Sequence, residues 1–130
     1  DNAKGMEFLK RLNGQIYILR GNHDTNTRVN LYMEAPNVFD CGTYARVIKY
    51  GKYHLYLSHY PTMTSNLENN AHISEHIINL YGHTHQMDNF YQDIPFMYHV
   101  GMDSHDCYPV DLDTVIEDIK AKVNECKTQL

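Results

Sequence analysis

Three short blocks of residues in this chain carry side chains that are suited to binding a transition metal. The blocks are Gly21-Asn22-His23-Asp24, His59 and Gly82-His83-Thr84-His85. Neutral imidazole is the commonest nitrogen ligand for such metals, and an asparagine carbonyl adds an oxygen ligand. Each block ends a largely apolar run, at 16–19, 55–57 and 77–80, that is typical of a buried strand. Because ligand sites in layered α/β proteins form at strand ends, the set predicts a metal centre for phosphate chemistry.

The elements that must position the first block are a helix, a strand and a second helix. Apolar residues spaced three and four apart predict a helix over 2–12, with Gly14 placed to close its end. Residues 15–20 are apolar on both faces, which predicts an interior strand. Residues 26–34 are predicted to form a short helix that stops before Pro36.

The second block depends on a β-hairpin. Residues 44–50 and 53–58 are predicted to form its strands around Gly51-Lys52, and glycine at the first loop position suits a type II′ turn. The polar stretch 61–75 is predicted to be a loop that borders the site, because it lies between two of the blocks.

The third block depends on a strand predicted at 76–81, and another strand is predicted at 97–101. An amphipathic terminal helix is predicted from Leu112 onward, with Asp111 as its N-cap. Strands and helices together make the fold class α/β, in a single domain over 1–130 or in part of one.

Composition restricts the partners and the setting. The net charge is −5, so there is no basic surface to favour nucleic acid, although metal ions would let an acidic protein hold a phosphate ester. No run is long and apolar enough to predict a membrane span, and no signal-peptide pattern is present. Cys41, Cys107 and Cys126 are widely spaced without a CxxC motif, which favours a reduced, cytoplasmic setting.

The order of the three blocks resembles that of the calcineurin-like metallophosphoesterases. The pattern of that family is D-x-H, G-D, G-N-H-D/E, H and G-H-x-H, and the last three elements are present here in order, without the first two. Residues 57–61 resemble the family's "LSHYP" block, and 100–103 with 108–110 resemble the tail of a small bacterial and phage branch. The resemblance implies a four-layer α/β/β/α sandwich, incomplete at the N-terminus, and implies that this chain is the C-terminal part of such an enzyme.

The resemblance also assigns metal ligands. Asn22, His59 and His83 would bind one divalent ion, and His85 would bind a second ion whose other ligands belong to the D-x-H and G-D blocks. This ligand chemistry suits Mn, Fe, Zn, Ni or Co. Because no counterparts of the family's carboxylates precede Asn22, the 130-residue chain alone is expected to be inactive and to hold at most one weakly bound ion.

The resemblance makes His23 the group that stabilises the phosphoryl charge and protonates the leaving oxygen. Asp24 would then hold that imidazole and raise its pKa, or would only cap the loop. The implied activity is hydrolysis of phosphate mono- or diesters, with a small phosphate ester or a nucleotide as substrate.

Several alternatives remain open from the sequence. The scaffold could serve as a catalytically dead protein-binding module, or as a DNA-end nuclease, against which the acidic charge argues. Asp103-Ser104-His105 is literally D-x-H, so it could replace the missing block by circular permutation, but Asp103 is expected to orient a neighbouring loop. Arg20 and Arg28 could contact phosphate, although surface charge is the favoured interpretation. The remaining histidines are interpreted as surface or structural groups: His54, His72, His76, His99 and His105.

Overall fold

The computed structural model describes residues 1–64, 73 and 76–128, and it divides the chain into two compact units, 1–45 and 46–130. Both helices and β-sheets are present, so the predicted α/β class is confirmed. No helix among the described residues is long and apolar enough to cross a bilayer. The predicted loop over 61–75 lies largely outside the described residues.

The first unit contains two helices and a two-stranded sheet. Its elements are α1 (Asn2–Arg11), β1 (Ile16–Ile18), α2 (Asn26–Tyr32) and β2 (Val38–Cys41). β1 and β2 pair in parallel. Met6, Ala35 and Val38 form the buried centre of a small core, with Leu9 and Ile16 packed against it.

Two details of the first unit differ from the prediction. The strand at 15–20 was expected to be interior, but in the described chain β1 has only β2 as a neighbour, and Tyr17 is 45% exposed. Gly14 does not cap α1, because the helix ends at Arg11 and the capping residue Leu12 is extended. Gly14 lies two residues later and has a φ of +86, a conformation that glycine adopts without steric cost.

The second unit is built on a four-stranded sheet that one long helix covers. Its strands are β3 (Ala45–Tyr50), β4 (Tyr53–Ser58), β5 (Ile77–Tyr81) and β6 (Met97–His99), in the order β3-β4-β5-β6. Ala45, the first residue of β3, is also the last residue of the first unit. Gly51 in the β3–β4 loop has a positive φ of 58, as the hairpin prediction requires. β4 pairs with β5 in parallel, and β5 with β6 likewise.

The terminal helix α3 (Leu112–Thr128) forms as predicted. Its amide at Thr114 donates to Asp111 Oδ1 at 2.8 Å, which confirms Asp111 as the N-cap. The buried face of α3 packs on the sheet through residues spaced three and four apart: Val115, Ile116, Ile119 and Val123. This packing supports β4, β5 and β6, the strands that lead into the candidate site.

Candidate metal centre

The carboxyl ends of β4, β5 and β6 meet at one edge of the sheet, because the three strands are parallel neighbours. His59 follows the last residue of β4, and Gly82-His83-Thr84-His85 follows β5. The turn that contains Asp103 follows β6. The second and third sequence blocks therefore lie at adjacent strand ends, where open parallel sheets place their ligand sites.

His59 and His83 are brought together at this edge. His59 Nε2 and His83 Nδ1 lie 3.1 Å apart, and the Tyr60 ring packs against both imidazoles, with ring centroids 5.0 and 4.5 Å away. Two nitrogens bound to one ion at about 2.0–2.1 Å are themselves separated by about 3.0–3.4 Å. The observed spacing thus fits two ligands of a single cation. Without a cation, one nitrogen must donate a proton to the other.

The backbone of the third block is strained at its two histidines. His83 has φ 64 and His85 has φ 48, in the left-handed region that residues other than glycine rarely adopt. Each such residue costs on the order of 1–3 kcal/mol, and residues of this kind cluster at functional sites. A Cβ at Gly82 would lie 3.8 Å from His59 O, which is an ordinary contact.

Gln86 holds the strained block in place through four hydrogen bonds. Its Oε1 accepts from Tyr81 Oη at 2.9 Å and from Thr84 Oγ1 at 2.8 Å. Its Nε2 donates to the carbonyls of Asp88 and Phe90, at 2.7 and 3.1 Å. Burial raises the pKa of Tyr81 to about 12, so its hydroxyl remains a donor at physiological pH. The loop is therefore tied to the end of β5 and to the chain that follows it.

Asn79 positions the segment that carries His59. This residue is fully buried in β5. Its Oδ1 accepts from the Thr62 amide at 2.8 Å, while its Nδ2 donates to Tyr56 O at 3.1 Å and to Ser58 Oγ at 2.9 Å. The three bonds reach the chain on both sides of His59, so they determine where β4 ends and how the chain leaves it.

The turn after β6 is organised around the buried side chain of His99. His99 Nδ1 and Ser104 Oγ lie 2.8 Å apart, and His105 Nε2 lies 2.8 Å from His99 O. Burial lowers the pKa of His99, an effect that Asp103 partly opposes and His105 and His85 reinforce. A Cβ at Gly101 would come within 2.6 Å of the His99 ring, so glycine is required there. His99 and His105 are structural here, as expected from the sequence.

The first block lies in the first unit, where its own side chains close the loop. Asp24 Oδ2 accepts from the Gly21 amide at 2.7 Å, and Oδ1 accepts from Tyr32 Oη at 3.1 Å. These contacts are those of a loop cap, which was one of the two roles expected for Asp24. Asn22 and His23 are exposed in this loop.

Two arginines brace the same loop from its backbone side. Arg20 Nε donates to the Asp24 carbonyl at 2.7 Å, and Arg28 Nη1 donates to the His23 carbonyl at 2.8 Å. Each guanidinium thus fixes a carbonyl of the block, a supporting role that the sequence alone did not indicate.

Within the described part of the chain, no group of three or more His, Cys, Asp or Glu side chains has the arrangement of a metal site. Among the predicted ligands in the second unit, the structure brings His59 and His83 into direct contact, at 3.1 Å. No protein-family model, curated protein or solved structure matches this chain.

Proposed function

We propose that this chain carries part of a binuclear metallophosphoesterase centre and takes part in hydrolysis of phosphate mono- or diesters. The observation that carries the proposal is the 3.1 Å approach of His59 Nε2 to His83 Nδ1 at neighbouring strand ends. The strained left-handed backbone of His83 supports it, because evolution tolerates such strain where a side chain must be placed for function.

The donor set fits a divalent transition metal. Two imidazoles converge, and the order of blocks resembles a family in which an asparagine completes this half of the site. A bound ion would polarise the phosphoryl group and lower the pKa of a bound water. The ligand roles of Asn22 and His85, the acid role of His23 and the four-layer sandwich belong to the same proposal and depend on the resemblance.

In this proposal the chain's own residues hold and aim the reacting groups. His59 and His83 keep their ring nitrogens at ligand spacing because Asn79 and Gln86 fix the segments that carry them. His23, on the loop that Arg28 and Asp24 brace, would donate a proton to the leaving oxygen.

The test is hydrolysis of p-nitrophenyl phosphate and bis-p-nitrophenyl phosphate by the intact protein with Mn²⁺. We expect turnover that is abolished by His83→Ala and retained by His54→Ala, a matched change at an exposed histidine of the neighbouring strand. A folded intact protein that hydrolyses neither ester with Mn²⁺, Zn²⁺, Ni²⁺, Co²⁺ or Fe²⁺ would refute the proposal and favour a binding module.

A further inference from the structure

His85 contacts the carboxylate of Asp103, which lies in the turn after β6. His85 Nδ1 and Asp103 Oδ2 are 3.3 Å apart. The His85 side chain is 81% exposed, so little other packing restricts its imidazole. The Asp103 contact is thus the interaction best placed to decide which ring nitrogen faces solvent.

Asp103 is well suited to this role because its own turn is anchored. The turn Met102–Ser104 is tied down directly after Asp103, through the Ser104–His99 contact at 2.8 Å and through His105, which lies 2.8 Å from His99 O. His105 also stacks on Tyr98, with ring centroids 5.7 Å apart, and Tyr98 Oη donates to Asp118 of α3 at 2.6 Å. The Asp103 side chain is 41% exposed, but its turn is anchored to the buried residues His99 and Tyr98.

The Asp103 carboxylate favours one tautomer of the His85 imidazole. A carboxylate can only accept, so it favours the imidazole form that carries the proton on Nδ1. In that form Nε2 keeps its lone pair and is the nitrogen available to an ion. Carboxylates that hold a metal-binding histidine in this way act on both its orientation and its basicity.

We propose that Asp103 is a positioning residue that favours the Nδ1–H tautomer of His85 and directs Nε2 outward as a metal ligand. The inference is carried by the contact between His85 and Asp103, which are 18 residues apart in the sequence. His85 lies in a strained loop, and Asp103 lies in an anchored turn. Its metal-binding part rests on the proposed function, whereas its tautomer part does not.

The first measurement is the imidazole ¹⁵N spectrum of the metal-free chain at pH 8. We expect the Nδ1–H pattern for His85 in the wild-type chain and in Asp106→Asn, a control that removes an exposed carboxylate three residues further on. Asp103→Ala should shift His85 towards the Nε2–H form, and Asp103→Asn, which retains an acceptor oxygen, should shift it less. An Nε2–H pattern in the wild type, or the same pattern in Asp103→Ala, would overturn the inference.

The second measurement uses Mn²⁺ as the probe on the same variants of the protein used in the hydrolysis test, because the 130-residue chain alone is expected to lack the other ligands of the ion that His85 would bind. The Mn²⁺ concentration that half-broadens the His85 ring signals should rise about 10- to 100-fold in Asp103→Ala, the usual effect of losing such a partner, and stay unchanged in Asp106→Asn. Equal broadening in Asp103→Ala and the wild type would overturn the ligand part. If Mn²⁺ broadens neither His85 nor His83 in the wild type, the metal centre itself fails, while the tautomer result is decided independently.

Discussion

Replacing Asn79 with alanine tests how far a buried side chain that has no expected metal role controls the candidate centre. The substitution deletes three hydrogen bonds, to the Thr62 amide, the Tyr56 carbonyl and the Ser58 hydroxyl. Asn79 is fully buried, so water cannot replace its amide without opening the sheet. The two backbone groups are left without this partner on either side of His59.

The magnitude follows from these contacts. A hydrogen bond contributes about 0.5–1.5 kcal/mol net, and a buried group left without a partner costs about 1–3 kcal/mol. Because Thr62 and Tyr56 are only partly buried, we take the lower part of the combined range and expect the free energy of unfolding to fall by about 2–4 kcal/mol. The end of β4 should loosen as well, and with it the approach of His59 to His83.

The assay is urea denaturation of the metal-free chain followed by circular dichroism, with Asn124→Ala as the matched control. Asn124 is exposed on α3, so its replacement should change the free energy of unfolding by no more than about 0.5 kcal/mol. Amide shifts of His59 provide the second readout and should move in Asn79→Ala alone. A loss below about 1 kcal/mol, with unchanged His59 shifts, would refute the reasoning that Asn79 holds this segment.

Four further outcomes are expected. Gly101→Ala should lower the free energy of unfolding by about 1–3 kcal/mol, measured by urea denaturation, because its Cβ would collide with the buried His99 ring; an unchanged midpoint would contradict this. The free energy of unfolding should fall as pH drops below 6.5, because burial lowers the pKa of His99 and the unfolded chain therefore takes up the proton first. His99→Gln should weaken this pH dependence, measured by urea denaturation at several pH values, by the equivalent of up to one bound proton. His83→Asn should fold normally, since asparagine tolerates a φ of 64, but should bind less Mn²⁺ in isothermal titration. In the phosphoesterase proposed above, His23→Asn should keep its metal and lose about 10²- to 10⁴-fold in rate, most for poor leaving groups; loss of metal would show that His23 is not the acid.

Much of the fold could be predicted because local spacing decides it. The apolar residues of α3 recur every three or four positions, and Asp111 stands where an N-cap is required. The hairpin of β3 and β4 follows from alternating strands around a glycine with positive φ. In such cases the information lies within one or two turns of chain, so a single sequence is enough.

Other elements could not be predicted because long-range pairing creates them. β2 has four residues just after Pro36, too short for a periodic signal, and it forms by pairing in parallel with β1. That pairing also left β1 with one described neighbour, although its apolar character predicted an interior strand. Whether a strand gains a neighbour depends on which distant segment of the chain packs beside it, and the hydropathy of the strand itself does not predict that segment.

For the candidate centre, the chemical types of the groups and their placement after strands could be inferred from the amino-acid sequence. The order of the motifs and the hydropathy of the preceding residues were enough to identify His59, His83 and His85 as candidates. Tertiary structure alone decided that His59 and His83 approach to 3.1 Å, that Asn79 and Gln86 support them, and that Asp103 meets His85. The physical reason is that each of these contacts depends on parallel strand register and on the direction of individual side chains, which are set when the core packs and not by neighbouring residues along the chain.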